Sequence, residues 1–196
     1  RDRTILLTGG TGFYGQALTA KILRYLPDIR RLYLVLRPQR GPDGESLPVV
    51  ERLDELFAYV VFDRFRREEP RAFAAVRDKV RVMACDMRAP GLGLGEADRD
   101  ELLAEVDTII GNAASVTFDE ALDSAIHMNA LAPQELLKLA RAGAKKPVLV
   151  HVSTAYVNGR HTGQVSERTL PIDRMVQQVI DGEESAVPFV PEAEIA

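Results

Sequence analysis

Between Thr8 and Gly15 the chain reads Thr-Gly-Gly-Thr-Gly-Phe-Tyr-Gly, which puts Gly9, Gly12 and Gly15 at intervals of three. The apolar run Ile5-Leu6-Leu7 precedes them, and apolar residues recur at helical spacing after them, at Leu18, Ile22 and Leu26. Glycines at a strand-to-helix turn are suited to holding a diphosphate. The first permits a tight turn, the second lets the backbone approach the phosphates, and the third lets the helix pack closely on the strand while its N-terminal N–H groups face the anion. The spacing predicts a dinucleotide site built from Thr8, Gly9, Thr11, Gly12, Phe13, Tyr14 and Gly15.

A second chemical signal stands at the end of the next apolar run, Arg31 to Arg37. In NAD-preferring domains an acidic residue lies there, roughly 20 residues past the glycines, and binds the ribose hydroxyls. Here the place holds Arg37, with Arg40 close behind. A guanidinium matches a 2′-phosphate by paired hydrogen bonds, so the inverted charge points to NADP(H); the alternative is an arginine that ends a strand in solvent.

Three further strand ends carry residues of interest. Cys85-Asp86-Met87 follows a strand predicted at Val80–Ala84, where Asp86 either accepts from an adenine amino group or closes a turn. Gly111-Asn112-Ala113-Ala114 follows a strand predicted at Val106–Ile110, and its small residues would let a flat cofactor lie against the backbone. Ser153-Thr154-Ala155-Tyr156 follows a strand predicted at Pro147–Val152, so its hydroxyls face the ligand crevice of an open α/β sheet or cap the chain there.

Positioning these groups requires strands and helices in alternation. Residues 38–47 read as a loop, and Leu53, Leu56, Phe57, Val60, Val61 and Phe65 recur as one long helix to which no site is assigned. The Arg64–Arg71 cluster, with Glu68 and Glu69 inside it, reads as a solvated face. Gly91-Leu-Gly-Leu-Gly95 follows Pro90 rather than a strand and reads as a loop into a short helix near Asp98–Glu105. A helical pattern runs from Phe118 to Arg141, kinked or divided at Pro133, with His127 given no role and Asn129 on or beside its apolar stripe, where a buried amide needs partners that either a structural hydrogen bond, which spacing favours, or a proton-relay role would supply. The result is an α/β Rossmann-type doubly wound parallel sheet of order 3-2-1-4-5, helices on both faces, ending without a sixth strand and so incomplete at the C-terminus. We place the dinucleotide-binding domain at 1–163 and a further segment at 164–196, with one amphipathic stretch from Asp173 to Ile180.

Composition narrows the function classes. With 196 residues, 46% of them hydrophobic, the chain can bury one core of ordinary size. A formal charge of −4 gives no general attraction to nucleic acid or to an anionic membrane, so any phosphate site must be local. One cysteine, Cys85, excludes an intrachain disulfide and leaves no Cys/His cluster at metal-ligand spacing, which fits a cytoplasmic setting. No apolar run nears the roughly 18 residues of a membrane span. The chain begins at Arg1 almost directly on a strand, the arrangement expected of a piece of a longer protein.

Taken together, Thr8–Gly15, Leu36-Arg37-Pro38, Asn112-Ala-Ala-Ser-Val-Thr-Phe-Asp-Glu120 and His151-Val-Ser-Thr-Ala-Tyr-Val-Asn-Gly159 resemble the fatty acyl-CoA reductases. These extended short-chain dehydrogenases are related to the reductase domains of carboxylic acid reductases and of peptide and polyketide synthetases. The resemblance runs from Thr4 to about Gly159. It implies that Gly9, Gly12 and Gly15 hold the pyrophosphate of NADP(H), Arg37 the 2′-phosphate, Asp86 the adenine, and Asn112, Ala113 and Ala114 the inner face of the coenzyme. It also implies that Thr154, with Ser153 beside it, is the catalytic hydroxyl residue and that Asn129 is the helix asparagine of a proton relay. The substrate it implies is an acyl-CoA or acyl-carrier thioester, reduced to an aldehyde or alcohol. Two positions depart from the family pattern: Ala132-Pro133 replaces a Gly-Thr pair, and Cys85 replaces a glycine.

A third departure bears on activity. The family uses a tyrosine four residues before a lysine to protonate the oxyanion. Here Tyr14, Tyr25, Tyr33, Tyr59 and Tyr156 are followed at that distance by Leu18, Ile29, Arg37, Asp63 and Arg160. The simplest account is truncation before the pair, within an insertion that Gln164–Ala196 begins, so that this stretch alone binds coenzyme without turnover. A carrier-fed thioester reductase shares these motifs, and a non-catalytic dinucleotide sensor would keep the glycines without the pair.

Overall fold

The computed structural model describes residues 2–39, 43 and 48–154, so Arg40, Tyr156 and the Asp173–Ile180 stretch lie outside the described residues. Backbone contacts divide the chain into two units, Arg1–Val152 and Ser153–Ala196, and of the second only Ser153 and Thr154 are described.

The first unit is built on β1 (Thr4–Thr8), β2 (Arg31–Leu36), β3 (Val80–Ala84), β4 (Thr108–Gly111) and β5 (Val148–His151). They form one parallel sheet in the order β3-β2-β1-β4-β5, as the sequence predicts. β1 pairs with β2 from Thr4↔Arg31 to Thr8↔Val35 and with β4 from Ile5↔Thr108 to Leu7↔Ile110. Strand order therefore reverses between β1 and β4, and the crevice at their carboxyl ends is where sheets of this kind take ligands.

Alternation along the central strands explains why both faces are covered. Ile5 and Leu7 of β1, with Leu32, Leu34 and Leu36 of β2, point into one apolar layer with Leu23 and Phe62. Leu6, Tyr33 and Val35 point into the other, with Met83, Leu102, Ile109 and Leu136. Strands buried on both sides read as continuous apolar runs, which is how β1 and β2 appear in the sequence. Helix α1 (Phe13–Tyr25) supplies the first layer, while α5 (Glu96–Glu105) and α7 (Ala132–Ala142) supply the second.

Two predicted helices are divided. The stretch expected to be one helix is α2 (Glu51–Ala58), a single 3₁₀ turn at Val60–Phe62, and α3 (Asp63–Glu68), because Tyr59 is extended at φ −62°, ψ 146°. The break turns Phe62 into the core and leaves Val60 81% exposed. Phe62 then packs edge-on against Phe57, 5.1 Å between ring centres, and Phe73 of α4 (Pro70–Arg77) does the same at 5.4 Å from Phe57. Aromatic edge-to-face packing outweighs helical continuity here. The charged cluster is more than a solvated face: Arg24 of α1 bonds Glu68 at 3.0 Å and Glu69 at 2.7 Å, which ties α1 to α3.

The second divided helix comprises α6 (Leu122–Ile126), a π turn at His127–Leu131, and α7. The Ala132 N–H reaches back to the His127 carbonyl, one residue further than an α-helix would. Pro133 lies in the first turn of α7, where its missing N–H is tolerated, and it leaves the Asn129 carbonyl without its α-type donor. Pro133 thus divides the segment as predicted, through an inserted residue in the turn before it.

Candidate coenzyme site

The turn from β1 to α1 is shaped by contacts that exclude side chains. Gly9 has φ +66°, and a Cβ there would stand 2.8 Å from the Ala113 nitrogen. A Cβ on Gly15 would strike the Gly9 carbonyl oxygen, so the helix can approach the turn only with glycine at that place. At Gly12, by contrast, an added Cβ would meet the protein only at 3.4 Å, from the Gly9 oxygen. Gly9 and Gly15 close the backbone on itself, and Gly12 leaves room on the outer side.

The N-terminus of α1 is bare. Its cap residue Gly12 makes no side-chain capping bond, and no acidic residue lies in the first turn. The open N–H groups and the positive end of the helix dipole therefore face outward with Phe13, 97% exposed, and Tyr14, 56% exposed. Such an end accepts phosphate oxygens. Gln16 braces the loop by donating from Nε2 to the Thr11 carbonyl at 2.8 Å.

The end of β4 is fastened to this turn. Thr8 is fully buried, and its Oγ1 accepts the N–H of Asn112 at 3.0 Å and of Ala113 at 2.9 Å. Asn112 returns a bond from Nδ2 to the Gly9 carbonyl at 3.2 Å. Thr8 and Asn112 thus hold the two strand ends of the switch point together, and past them Ala113 is half-buried and Ala114 exposed. Asn129, expected to be buried, is exposed, and its amide is bonded in both directions to Ser115: the Ser115 N–H donates to Oδ1 at 2.9 Å, and Nδ2 donates to the Ser115 carbonyl at 3.1 Å.

The loop after β3 is set by turn chemistry. Asp86 is exposed, and its Oδ1 accepts the Arg88 N–H at 3.0 Å, so one carboxylate oxygen serves the turn. The Gly91-Leu-Gly motif folds back on it, with the Asp86 N–H donating to the Leu92 carbonyl at 2.9 Å. Glu135 of α7 anchors this loop through the Gly91 N–H at 2.8 Å. The bond from Lys138, then that from Gly91, holds the Glu135 carboxyl below its ordinary range. Beside Asp86, burial and then the neighbouring negative charge push the Cys85 thiol up to about 12. A thiol held protonated is neither a nucleophile nor a metal ligand.

Arg37 stands exposed just past β2. One residue of α2, to which the sequence assigns no site, reaches the glycine turn. Arg52, from the first turn of α2, donates from Nη1 to the Arg37 carbonyl at 2.7 Å and from Nη2 to Thr11 Oγ1 at 3.3 Å. In sequence it sits among Glu51, Asp54 and Glu55 and looks like part of a solvated face; only the fold brings it to the glycine turn. Met87 is half-buried beside the second core layer. Ser153 and Thr154 come two and three residues after the end of β5 in the chain and are exposed.

Known proteins align with this whole region. The family described as Male sterility protein matches residues 7–189. Fatty acyl-CoA reductase 1 of Gallus gallus is 34% identical over 165 residues, 83% of this chain and 30% of its own length. Fatty acyl-CoA reductase wat of Drosophila melanogaster is 34% identical over 82% of this chain and 30% of its own. Among solved structures, the terminal R domain of the myxalamid PKS-NRPS pathway superposes with a TM-score of 0.63 at 28% identity, over 86% of this chain and 40% of that one. The reductase domain of a nonribosomal peptide synthetase from Mycobacterium tuberculosis gives 0.60 at 29% identity, over 81% of this chain and 34% of that one. This chain spans about a third of the length of the curated relatives it matches.

Proposed function

We propose that this chain, which belongs to the Male sterility protein family, is the NADP(H)-binding part of a reductase of fatty acyl-CoA thioesters. The observation that carries the reading is the bare N-terminus of α1, with unfilled room over Gly12, at the β1/β4 switch point and with Arg37 beyond it. The residues fit the coenzyme by shape and charge: N–H donors for the pyrophosphate and a guanidinium for a 2′-phosphate. Reduced nicotinamide, when bound, supplies hydride to the thioester carbonyl.

The chain's own residues supply position and polarity. Thr8 and Asn112 keep the strand ends at a fixed separation, and Ala113 and Ala114 offer a flat wall for the nicotinamide side. The Thr154 hydroxyl, with Ser153 adjacent, would donate a hydrogen bond to the carbonyl oxygen as negative charge develops on it. Asn129 serves as a positioning residue, because both ends of its amide are engaged by Ser115. Asp86 retains an oxygen beyond its turn bond that can accept from adenine. Arg40 stands close enough in sequence to Arg37 to assist it. In the family's pattern the proton would come from a tyrosine held four residues before a lysine, a pair this sequence does not contain.

A second reading is favoured by the likeness to the two synthetase reductase domains. In it the thioester arrives on a carrier-protein arm instead of on coenzyme A, with the same reduction following. Residues 1–163 as the coenzyme domain, 164–196 as the start of a substrate-side segment, and a cytoplasmic setting complete the proposal; among the described residues no helix is long and apolar enough to cross a membrane.

Titration of NADPH by nicotinamide fluorescence tests it. Saturable binding that NADH does not match is expected, and absence of binding overturns the reading. Acyl-CoA-dependent oxidation of NADPH by this chain should be negligible, and robust turnover would refute the missing-pair account.

A further inference from the structure

We infer that Glu135 of α7 is a positioning residue for Asp86: it fastens a left-handed turn at residues 91–93, and that turn holds Asp86 where its carboxylate selects the purine of the coenzyme. The inference rests on the reading that Asp86 faces adenine.

The turn is held in a conformation that its own sequence resists. Gly91, Leu92 and Gly93 have φ of 62°, 63° and 59°, three left-handed residues in a row. Glycine adopts that region freely, but Leu92 carries a Cβ and is strained there. Its side chain is 1% exposed, in the same apolar layer as Leu136, the residue after Glu135. Such strain persists only where the surroundings fix it from more than one side. The second restraint is the bond from the Gly91 N–H to Glu135 Oε2 at 2.8 Å, across 44 residues of chain. Where Glu68, Glu69 and Asp98 meet arginine side chains, Glu135 takes a backbone donor from another element, and Lys138 holds its other oxygen at 2.6 Å.

The far side of the turn bears directly on Asp86. The Leu92 carbonyl accepts the Asp86 N–H at 2.9 Å, and a Cβ on Gly93 would lie 3.2 Å from both the Asp86 nitrogen and its Cβ. Asp86 Oδ1 accepts the Arg88 N–H at 3.0 Å, which orients the carboxylate and leaves its second oxygen for a ligand. The path from Glu135 to Asp86 does not pass through the glycine turn at α1. A carboxylate accepts from the 6-amino group of adenine and repels the 6-oxygen that replaces it in hypoxanthine. Choice between the two purines therefore reads the placement of Asp86 separately from the grip on the phosphates.

NADPH and its hypoxanthine counterpart, titrated calorimetrically into the chain, differ only in the purine. Wild type should prefer NADPH by about tenfold, and Asp86→Asn should bring the ratio near one. Glu135→Ala should cut the ratio to about threefold or less. Glu135→Gln, which keeps an acceptor for the Gly91 N–H without the charge, should lie between wild type and Glu135→Ala. Adding Glu135→Ala to Asp86→Asn should change the ratio no further, because the one acts through the other. An unchanged ratio in Glu135→Ala, or a further fall in the double variant, overturns the inference while the NADP(H) reading stands. Wild-type protein that binds both coenzymes equally overturns the placement of adenine at Asp86 and the inference with it. Thermal melting of each variant reports whether it folds, and if Glu135→Ala does not, an unchanged ratio in Glu135→Gln is decisive against the assignment.

Discussion

The Asn129 amide and the Ser115 backbone exchange two hydrogen bonds, one in each direction. The pair joins the π turn of the α6–α7 segment to the loop leaving β4, which gives the Asn129 amide the structural hydrogen bonds its place in the helical pattern called for. Asn129→Asp keeps the acceptor and loses the donor, and Asn129→Ala loses both. Expected costs are about 0.5–1 and about 1–1.5 kcal/mol respectively, since each bond replaces one to water. Amide hydrogen exchange at Ser115 should accelerate in the same order. Unchanged protection there would show that the loop is held by other contacts.

The three glycines of the turn should respond differently to a single methyl group. Gly15→Ala drives a Cβ into the Gly9 carbonyl, and Gly9→Ala adds a steric clash with Ala113 to a left-handed φ. Each should destabilise the fold by about 1–3 kcal/mol. Gly12→Ala meets nothing closer than 3.4 Å and should leave the melting temperature nearly unchanged. On the proposed reading the methyl occupies the room through which phosphate would approach, so NADPH affinity should still fall by about tenfold or more. Parallel melting and binding curves check this. A Gly12→Ala protein that melts early would place the constraint inside the protein.

The sheet order and the glycine turn were legible in the sequence because each rests on a local pattern: continuous apolar runs for strands covered on both faces, and glycines spaced from strand to helix. The division of α2 from α3 was not legible. Val60 and Phe62 are both apolar, and either could continue a stripe; only the ring cluster of Phe57, Phe65 and Phe73 selects Phe62. Arg52 escaped for the same reason, since its partners lie far away in sequence. Two substitutions measure the selection. Phe62→Ala should cost about 3–5 kcal/mol, and Val60→Ala, at an exposed position, less than about 0.5 kcal/mol, by chemical denaturation. Equal costs would restore the single continuous helix.

Cys85 gives the fold an alkaline limit whose sign can be worked out. Burial first, and the Asp86 charge second, raise its thiol from 9.0 in the unfolded chain to about 12 in the folded one. Below about pH 9 the thiol is protonated in both states and contributes no pH dependence. Above that, the unfolded chain gains by ionising while the folded chain does not, so stability falls as pH rises toward about 12. Tyr33, raised by burial and by its bond to Glu101, adds a loss of the same sign at the upper end. The Cys85→Ala protein isolates the thiol: its stability should decline less steeply than wild type between pH 9 and 10.5, by up to about 1.4 kcal/mol per pH unit. The same shielding predicts that a thiol reagent at pH 8 labels wild-type protein only at the rate of opening. Stoichiometric labelling within the mixing time would mean that the thiol is reachable in the native state and that the shift is absent.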